Sequence, residues 1–455
     1  MTPTRREILA TATGLTAAGY QRVVGSNDRI GVGFVGYGLM QKTHVSTFRA
    51  MADAQPVALA EVHAGRRAEG QAACGGQAVG YADFRKLLDD RRVEAVVVAT
   101  PDHWHALVTM LACAAGKDVY VEKPLTLFVR EGEWMQAVAL RTRRVVQVGT
   151  QQRSGRHYGR ARSLIRSGHI GQVHSVRMWA ARNIGAGFGR PADCMPPSEL
   201  DWDGWLGPAP RRPYNPNRGL YHFRWFWDTA GGQMTNLGAH HLDIVDWFLG
   251  LDELRAVASF GGRFAVSDNA ETPDTQDALF RFDHWTTSMT LRESSAGDTP
   301  RSGLEFFGTK GSLSIGRSGF RVVADGEIPA VNMIPGIRDG HPVGGPIAIP
   351  APDSPPLRTQ SIDDTSGNSA EQYREHARNF LACIRSRKAP ISDLASAHRT
   401  AVACHLANLS LRLGRQLNWD SAKGTVIGDL EAAAALVRPY RAPWDRELRA
   451  LGVGP

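Results

Sequence analysis

Short apolar runs alternate with amphipathic segments over residues 28–150 of the chain. The runs are rich in Val and Ala, as in strands buried on both faces of a parallel sheet. The runs predicted as strands are 30–35, 57–60, 93–99, 119–121 and 145–148. The segments predicted as helices are 44–51, 66–74, 84–89, 106–115 and 132–140. This order predicts a Rossmann-type, doubly wound α/β domain over residues 28–150.

From about residue 172 the apolar residues recur at every second position, the period of a half-buried strand. This pattern predicts a second α/β domain over residues 151–455, built on a large, open and mostly antiparallel sheet. Residues 325–368 are rich in Pro and predict an irregular loop. Residues 370–413 return to a helical pattern. We expect these C-terminal helices to pack back on the Rossmann domain.

The first residues resemble a secretion signal. Arg5 and Arg6 precede a short, weakly apolar stretch that ends in the small residues Ala17, Ala18 and Gly19. This order is typical of a twin-arginine export signal, which we predict over residues 1–27 and which implies a periplasmic location. The stretch is too short to span a bilayer. The alternatives are a frayed basic tail and, if the leader does not function, a cytoplasmic protein.

Composition excludes some classes of protein and adds one question about charge. Hydrophobic residues make up 42% and charged residues 22% of the 455 residues, which excludes wholesale disorder and a multi-span membrane protein. The net charge of +8 is concentrated in residues 141–180, which contain no Asp or Glu. A solvated helix face explains this stretch better than an anionic-ligand site. Because neither zinc-finger spacing nor a recognition helix accompanies the charge, we expect no nucleic-acid partner. The arginines of this stretch are Arg141, Arg143, Arg144, Arg153, Arg156, Arg160, Arg162, Arg166 and Arg177.

A glycine-rich turn follows the first predicted strand and opens a helix. Backbone amides in the segment from Gly36 to Met40, "GYGLM", are placed to receive a pyrophosphate at the helix N-terminus. The third glycine of G-x-G-x-x-G is replaced by Gln41, which we expect to loosen the fit of the first helix. Glu61 ends the next strand, where an acid can bind a ribose 2′-hydroxyl, and this favours NAD. Arg66 and Arg67 follow it and can hold a 2′-phosphate, so NADP stays open.

The predicted strands 93–99 and 119–121 are also followed by polar residues. These residues lie at the carboxyl edge of the sheet, where such folds bind ligands. Thr100 is followed by Pro101 and by the run "DHWH", residues 102–105. Two of these residues are histidines that can ligate a metal, but no third ligand is recognisable, so a helix cap with surface histidines is favoured and no metal is expected. The following strand ends in Glu122 and Lys123. Burial beside a nicotinamide would lower the pKa of such a lysine and allow it to exchange a proton, and a surface Glu/Lys pair is the alternative.

A second polar cluster lies in "GGQMTNLGAHHLDIVDWFLG", after the change of period. Asn236, His240 and Asp243 follow the i, i+4, i+7 spacing of one helix face, and His241 lies beside them. Polar groups on an apolar helix must either be hydrogen-bonded internally or line a cleft. Histidine relays protons near neutral pH, so we favour the cleft over a core histidine.

Together, "GFVGYG", "TPDHWHA", "EKPLTL" and "GGQMTNLGAHHLD" resemble the Gfo/Idh/MocA oxidoreductase family, specifically its exported bacterial group with a twin-arginine leader. The resemblance covers nearly all of residues 28–445. It implies that Lys123 is the catalytic lysine and that His240 is an acid/base or substrate-orienting residue. Asn236 stands where many members carry Asp, and Asp243 stands at a position that binds substrate hydroxyls. The amide of Asn236 cannot titrate, so any proton relay must involve Lys123 and His240.

The resemblance also implies a nicotinamide cofactor between the two domains and a homo-oligomer, a dimer or tetramer, formed through the open sheet. The expected cofactor contacts are Gly36, Gly38, Leu39, Met40, Glu61, Thr100, His105, Glu122 and Lys123.

The activity expected from this resemblance is hydride transfer between NAD(P) and a secondary hydroxyl of a sugar, polyol or glycoside. Arg153 and Trp227 are candidate substrate contacts, because Arg donates hydrogen bonds and Trp offers a flat apolar face. One alternative is a glycosidase or lyase that uses bound NAD to oxidise the sugar transiently. A second alternative is a sugar-binding protein without catalysis. Glu199, Asp201 and Asp203 are interpreted as structural rather than as a two-carboxylate hydrolase site.

Overall fold

The computed structural model describes residues 29–295, 301–324 and 360–454, together with the backbone of four short strands between residues 331 and 348. The predicted export segment, residues 1–27, lies outside the described residues, as does most of the predicted Pro-rich loop. In the described part of the chain, no helix combines the length and the apolar content needed to cross a membrane.

The N-terminal domain contains a six-stranded parallel sheet in the order β3-β2-β1-β4-β5-β6. This arrangement confirms the predicted doubly wound fold. The order reverses between β1 and β4, and the crevice beyond the carboxyl ends of these strands is where such sheets bind ligands. The strands are β1 (Ile30–Val35), β2 (Ala54–Ala60), β3 (Val79–Tyr81), β4 (Ala95–Val98), β5 (Asp118–Glu122) and β6 (Val146–Gly149). The helices are α1 (Leu39–Arg49), α2 (Ala64–Cys74), α3 (Phe84–Asp89), α4 (Asp102–Ala114) and α5 (Val129–Thr142).

Four of the five helices of this domain begin earlier than the apolar pattern predicts, and the difference is largest for α1 and α4. Helix α1 begins at Leu39 and not at residue 44, and α4 begins at Asp102 and not at residue 106. In both of these helices the first turn carries residues that border the edge of the sheet. Because this turn is more polar than the rest of the helix, the apolar pattern does not indicate where the helix begins. Strand β3 was not predicted, because it has only three residues and none of them is buried.

The second domain contains a ten-stranded sheet in the order β18-β13-β12-β11-β7-β10-β9-β8-β19-β20, in which only β7 and β10 are parallel neighbours. Before it the chain forms α6 (Arg156–Arg166). The strands up to the Pro-rich region are β7 (Val173–Ala181), β8 (Ala256–Gly262), β9 (Thr275–Arg281), β10 (Thr286–Arg292), β11 (Ser302–Gly308), β12 (Gly311–Gly316) and β13 (Gly319–Ala324). The remaining strands are β14 (Val331–Asn332), β15 (Gly336–Arg338), β16 (His341–Val343), β17 (Ile347–Ala348), β18 (Ile362–Asp364), β19 (Leu417–Asp420) and β20 (Thr425–Ile427).

Within the predicted irregular loop, the structure describes more order than expected. Strand β18 pairs with β13 at the edge of the large sheet, while β14 pairs with β17 and β15 with β16 outside it. The β18 residue Asp364 is fixed by Arg160 of α6, at 2.5 Å. The loop therefore ends earlier than residue 368.

One face of the large sheet packs on helices and the other remains open. Strand β9 shows this alternation: Ala278 and Phe280 are buried in the core, whereas Leu279 is 60% exposed. On the neighbouring strand β8, Phe260 is 71% exposed. The described part of the open face thus presents large apolar side chains to solvent. The helices of this domain after α6 are α7 (Trp202–Leu206), α8 (Ala239–Leu249), α9 (Ser369–Ser386), α10 (Leu394–Leu413), α11 (Leu430–Ala434) and α12 (Trp444–Ala450).

The C-terminal helices connect the two domains. Phe380 of α9 packs edge-on against Phe48 of α1 and Tyr120 of β5, with ring centroids 6.4 and 5.9 Å apart. Between α9 and α10, the carbonyl of Ser392 accepts a hydrogen bond from the amide of Val148 in β6, at 3.0 Å. Helices α9 and α10 therefore hold the second domain against the sheet edge where the crevice lies.

Candidate functional site

A cavity of about 730 Å³ lies at the carboxyl ends of β1, β4 and β5. The first domain contributes the glycine-rich turn and the ends of these strands to its wall. The second domain contributes Trp205, Tyr221, Arg224 and Asn236. The cavity thus lies between the domains, at the topological switch point of the parallel sheet, and it is large enough for a dinucleotide and a small substrate.

The glycine-rich turn has the geometry of a phosphate-binding site. Gly36 adopts a positive φ of 85°, and a Cβ at this position would lie 2.9 Å from the carbonyl oxygen of Ala99 in the strand-end loop. Gly38 caps α1 without a side-chain hydrogen bond, and the first turn of α1 contains no acidic residue. Leu39 and Met40, whose amides have no partner within the helix, both line the cavity, where the helix dipole favours an anion.

Gln41 does not loosen the first helix, contrary to expectation. Its side chain is fully buried, and its Nε2 donates to the carbonyl of Val97 in β4, at 2.9 Å. This hydrogen bond connects α1 to the sheet where a glycine would otherwise allow close packing.

Glu61 occupies the position expected for a ribose-binding acid. Its carboxylate accepts hydrogen bonds from the amides of Tyr37, at 2.7 Å, and His63, at 2.9 Å, and it lines the cavity. Because this fixed negative charge would repel a 2′-phosphate, the geometry favours NAD over NADP. Arg67 donates to the backbone carbonyl of Glu61 at 2.8 Å and does not line the cavity, whereas Arg66 does.

The run after β4 is buried, not a cap with surface histidines. His103 and His105 are each 1% exposed. The ring nitrogens of His105 lie 2.6 Å from the carbonyl oxygen of Pro124 and 3.0 Å from that of Thr100. His103 Nε2 contacts the carbonyl of Trp205 at 3.1 Å. These histidines hold the backbone of the cavity wall, and among the described residues no cluster of His, Cys, Asp and Glu suits a metal ion.

Thr100 fits the expected cofactor contact. It lines the cavity, and its buried hydroxyl has no hydrogen-bond partner within the described chain. A buried hydroxyl without a partner is costly unless a ligand completes its hydrogen bonds. The amides at the start of α1 and the Thr100 hydroxyl can donate to a dinucleotide, and the carboxylate of Glu61 can accept from its ribose hydroxyls.

Lys123 lies at the junction of the two domains. Its Nζ donates to the backbone carbonyl of Asn236, at 2.9 Å, and to the side-chain Oδ1 of the same residue, at 3.0 Å. Burial lowers the pKa of Lys123 to about 8. Nearby Glu122 and Asp102 oppose this shift, whereas Arg224 and Arg317 add to it. Lys123 can therefore carry or release a proton near neutral pH.

Glu122 and Lys123 do not form the surface pair that was the alternative to a site. Glu122 is 4% exposed, and its Oε1 accepts hydrogen bonds from His44, at 2.8 Å, and Gln151, at 2.7 Å. Burial alone would raise the pKa of Glu122, but the hydrogen bond from His44 brings that pKa below its ordinary value. This carboxylate, which lines the cavity, is thus held as an anion beside Lys123.

The three residues predicted to share one polar helix face, Asn236, His240 and Asp243, do not lie on one continuous α-helix in the structure. Residues 234–238 form a π-helical turn before α8, so the spacing of one continuous α-helix does not apply across it. Asn236 reaches the cavity and Lys123. His240 is partly exposed, its Nδ1 has no partner among the described residues, and burial together with the Lys123 charge holds its pKa well below the ordinary value. His240 is therefore a neutral imidazole at neutral pH, and unlike Asn236 it does not line the cavity, contrary to its predicted place in the cleft.

Asp243 and Arg153 do not lie in the cavity wall, contrary to their predicted substrate roles. Both are almost fully buried and bind each other, with Arg153 Nε 2.9 Å from Asp243 Oδ2. Arg153 also reaches Asp246 at 3.2 Å, and Arg399 of α10 donates to the other oxygen of Asp246 at 2.7 Å. Burial raises the pKa of Asp243, and the Arg153 guanidinium opposes that shift. These residues form a buried charge network between α8, α10 and the turn after β6.

Trp227 is the other predicted substrate contact that lies elsewhere. Its ring is covered by the guanidinium of Arg412, 5.1 Å from the ring centroid, and its amide donates to Glu271 at 2.9 Å. It does not line the cavity. None of the arginines of residues 141–180 lines it either. Several arginines of the basic stretch instead pair with carboxylates of the same chain, such as Arg177 with Glu305 at 2.8 Å.

Sequence reasoning missed Arg224 as a site residue. Its guanidinium lines the cavity and lies over the rings of Tyr221 and Phe223, 4.8 and 4.5 Å from their centroids. Among the described residues, no carboxylate forms a salt bridge with it within 4.0 Å. The segment "HFRWF" contains it, and the concentration of aromatic residues around a single arginine was the available signal.

The fold and the site define a two-domain protein that binds a dinucleotide at a Rossmann turn and places a buried lysine between its domains. A family model described as "Oxidoreductase family, NAD-binding Rossmann fold" matches residues 30–150. A second model of the same family, described as "Oxidoreductase family, C-terminal alpha/beta domain", matches residues 179–261 and 362–446. Together the two models cover more than half of the chain, which belongs to the Gfo/Idh/MocA oxidoreductase family.

Individual relatives share only part of the chain or a modest sequence identity with it. "Inositol 2-dehydrogenase 2" of Saccharopolyspora erythraea is 29% identical over 259 residues, which are 55% of this chain and 61% of that protein. "Inositol 2-dehydrogenase 1" of the same organism is 36% identical over 152 residues, 32% of this chain and 44% of that protein. The chain thus spans about half the length of these curated relatives. The structure of a levoglucosan dehydrogenase in complex with NADH matches with a TM-score of 0.64 at 20% identity, over 86% of this chain and 99% of that one, which shows a shared fold.

Proposed function

We propose that the protein is an NAD-dependent dehydrogenase that oxidises a secondary hydroxyl of a sugar, polyol or glycoside. The observation that carries this proposal is Lys123, a buried amine with a pKa of about 8 at the junction of the dinucleotide cavity and the second domain. The names of the relatives, inositol and levoglucosan dehydrogenases, support a polyhydroxylated substrate. When bound, NAD supplies the hydride acceptor.

The residues of this chain supply the proton chemistry. In its uncharged form, Lys123 Nζ accepts the proton of the substrate hydroxyl, while Asn236 fixes the direction of the amine through two hydrogen bonds. Neutral His240 adds a hydrogen-bonding group without adding charge. The aromatic wall of Trp205, Tyr221 and Phe223 gives the sugar ring an apolar surface and keeps water away from the reacting atoms.

The decisive test is a screen of the purified protein with NAD and a panel that contains myo-inositol, levoglucosan, free sugars and aryl glycosides. Accumulation of NADH with a free sugar or polyol supports the dehydrogenase. Release of the aglycone from a glycoside without net NADH would instead show the redox-assisted glycosidase. Binding of sugar without either product would show a sugar-binding protein and overturn the proposal.

The pKa of Lys123 predicts the pH dependence of the reaction. Because the amine must be uncharged to accept a proton, kcat/KM for alcohol oxidation should rise about tenfold per pH unit below pH 8 and level off above it. Initial rates across this range, measured in buffers of constant ionic strength, test the prediction. A profile that is flat through pH 8, or that falls there, would assign the proton to another group.

Arg224 is the proposed replacement for Arg153 as a substrate contact. Its guanidinium lines the cavity and forms no salt bridge with a carboxylate of the described residues, so it can donate hydrogen bonds to substrate oxygens. We expect Arg224→Ala to raise KM for the sugar about tenfold or more, since a hydrogen bond from a charged group contributes roughly 1.5–3 kcal/mol. Arg211→Ala, an exposed arginine on the same loop region, is the matched control. An unchanged KM in Arg224→Ala would remove Arg224 from the substrate site.

We also propose that the protein is exported by the twin-arginine route and acts as a homo-oligomer. Arg5, Arg6 and the following small residues support export. Phe260 and Leu279 on the open face of the large sheet support association, because exposed apolar patches of this kind usually mark interfaces. Fractionation of cells and sedimentation of the purified protein test the two parts separately.

A further inference from the structure

Lys123 is the first member of a chain of hydrogen bonds that leads away from the cavity. The side chain of Asn236 accepts from Lys123 Nζ at 3.0 Å, and its Nδ2 donates to Gln233 Oε1 at 2.9 Å. The Nε2 of Gln233 donates in turn to Oε1 of Glu293 at 2.6 Å. Glu293 follows β10 and is 1% exposed. Two amides therefore connect the amine in the cavity to a buried carboxylate.

The two ends of this chain fix the direction of every hydrogen bond in it. Both oxygens of Glu293 accept from the indole Nε1 of Trp225, at 2.8 and 2.7 Å, and an indole nitrogen can only donate. Burial raises the pKa of Glu293 and these hydrogen bonds oppose that shift. In its carboxylate form Glu293 can only accept at this end, and the ammonium of Lys123 can only donate at the other. Gln233 must present its amide nitrogen to Glu293 and its oxygen to Asn236. Asn236 must then present its oxygen to Lys123.

We propose that Glu293 and Gln233 are positioning residues, which orient the Asn236 amide so that its oxygen faces Lys123 and the remaining Nζ positions face the cavity. The proposal rests on the proposed dehydrogenase function only for its catalytic consequence. Its structural part can be tested without turnover, because the orientation of the Asn236 amide determines the hydrogen bonding, and therefore the pKa, of Lys123. Without the carboxylate, both amides can turn over, and an NH₂ group would then face Lys123.

The first variant removes the charge of Glu293 and keeps its shape. In Glu293→Gln the amide chain is no longer held in one direction, so the ammonium of Lys123 loses part of its stabilisation. We expect the pKa of Lys123 to fall by about one unit, since the ammonium form loses part of one charge-assisted hydrogen bond. NMR titration of isotope-labelled lysine in the full chain, with the Lys123 signal assigned by its loss in Lys123→Met, measures this pKa without any substrate.

The second variant tests the direction of the chain. Asn236→Asp places a carboxylate that cannot donate to Gln233, so Gln233 must turn and direct its oxygen at Glu293, where two acceptors repel. In the double variant Asn236→Asp/Glu293→Gln, the turned Gln233 donates to the new aspartate and accepts from the new glutamine. We expect the double variant to recover at least about tenfold in kcat/KM relative to Asn236→Asp, with a Lys123 pKa above that of the wild type.

Matched controls separate this role from a purely structural one. Glu305→Gln removes a carboxylate on the same sheet whose one salt bridge within the described part of the chain is with Arg177, and it should leave the Lys123 titration unchanged. A Lys123 pKa in Glu293→Gln equal to that of the wild type overturns the proposal. So does a double variant whose losses are the simple product of the two single losses. If no substrate of the protein is turned over, the NMR titration alone still decides, and only the proposed function fails.

Discussion

Lys123→Met is expected to lower kcat/KM for the sugar or polyol by about 100- to 10,000-fold, the contribution typical of a positioned general base. Methionine keeps the length and the apolar stem of lysine but has no proton acceptor of comparable strength. The binding of NADH should change little, because the amides that open α1, the Thr100 hydroxyl and Glu61 are untouched. Initial rates and a fluorescence titration with NADH measure the two effects on the same preparation.

Lys388→Met is the control for this substitution, because Lys388 is exposed in the loop that follows α9. It should retain the wild-type rate. If Lys123→Met retained turnover and lost NADH affinity, the lysine would be a cofactor ligand and the base would lie elsewhere, with His240 the remaining candidate. If neither quantity changed, the proposed chemistry would be wrong.

The sequence predicts the Rossmann domain well because its strands are buried on both faces and its helices are amphipathic, so each element carries its own periodic signal. β1 was predicted at its observed bounds, and α3 as well. Lys123 was identifiable because it ends a buried strand, where the carboxyl edge of a parallel sheet is known to bind ligands. These are local sequence patterns, which can be recognised without knowledge of the tertiary structure.

The errors concern polar residues whose partners are distant in sequence. From the sequence, Asp243 on a helix face could equally line a cleft or belong to a buried ion pair. Only the fold shows that Arg153, ninety residues earlier, binds it. The same holds for His44, which pairs with Glu122 across seventy-eight residues. The π-helical turn at residues 234–238 has no reliable sequence signal, yet it lies between the cavity-lining Asn236 and the helix α8 that carries the buried Asp243.

The charge network that replaces the predicted substrate contact has a consequence for stability. In Arg153→Met, the fully buried carboxylate of Asp243 loses its cationic partner, while Asp246 keeps Arg399. Breaking a buried ion pair by removing one partner costs about 3–5 kcal/mol. We expect the free energy of unfolding to fall by that amount, measured as the shift of the urea midpoint at constant slope or as a lower Tm.

The loss should also depend on pH in a defined direction. Burial raises the pKa of Asp243 in the folded chain even with Arg153 present, and the loss of Arg153 raises it further, so the folded variant holds a proton at pH values where the folded wild type has released it. Because Asp243 titrates alike in the two unfolded chains, the stability of the variant relative to the wild type should decrease as pH rises through the folded pKa of Asp243 in the wild type, which already lies above the ordinary value, and continue to decrease up to the still higher folded pKa in the variant. Unfolding curves at several pH values above 4 test this sign.

Arg378→Met makes the same substitution at a surface pair, where the arginine is 61% exposed and lies 2.8 Å from Glu375. It should cost at most about 1 kcal/mol. The comparison isolates burial as the cause, because the lost charge and the new side chain are identical in the two variants. Wild-type stability in Arg153→Met, combined with a raised KM for the sugar, would contradict the structural assignment and return Arg153 to the substrate site that the sequence predicted.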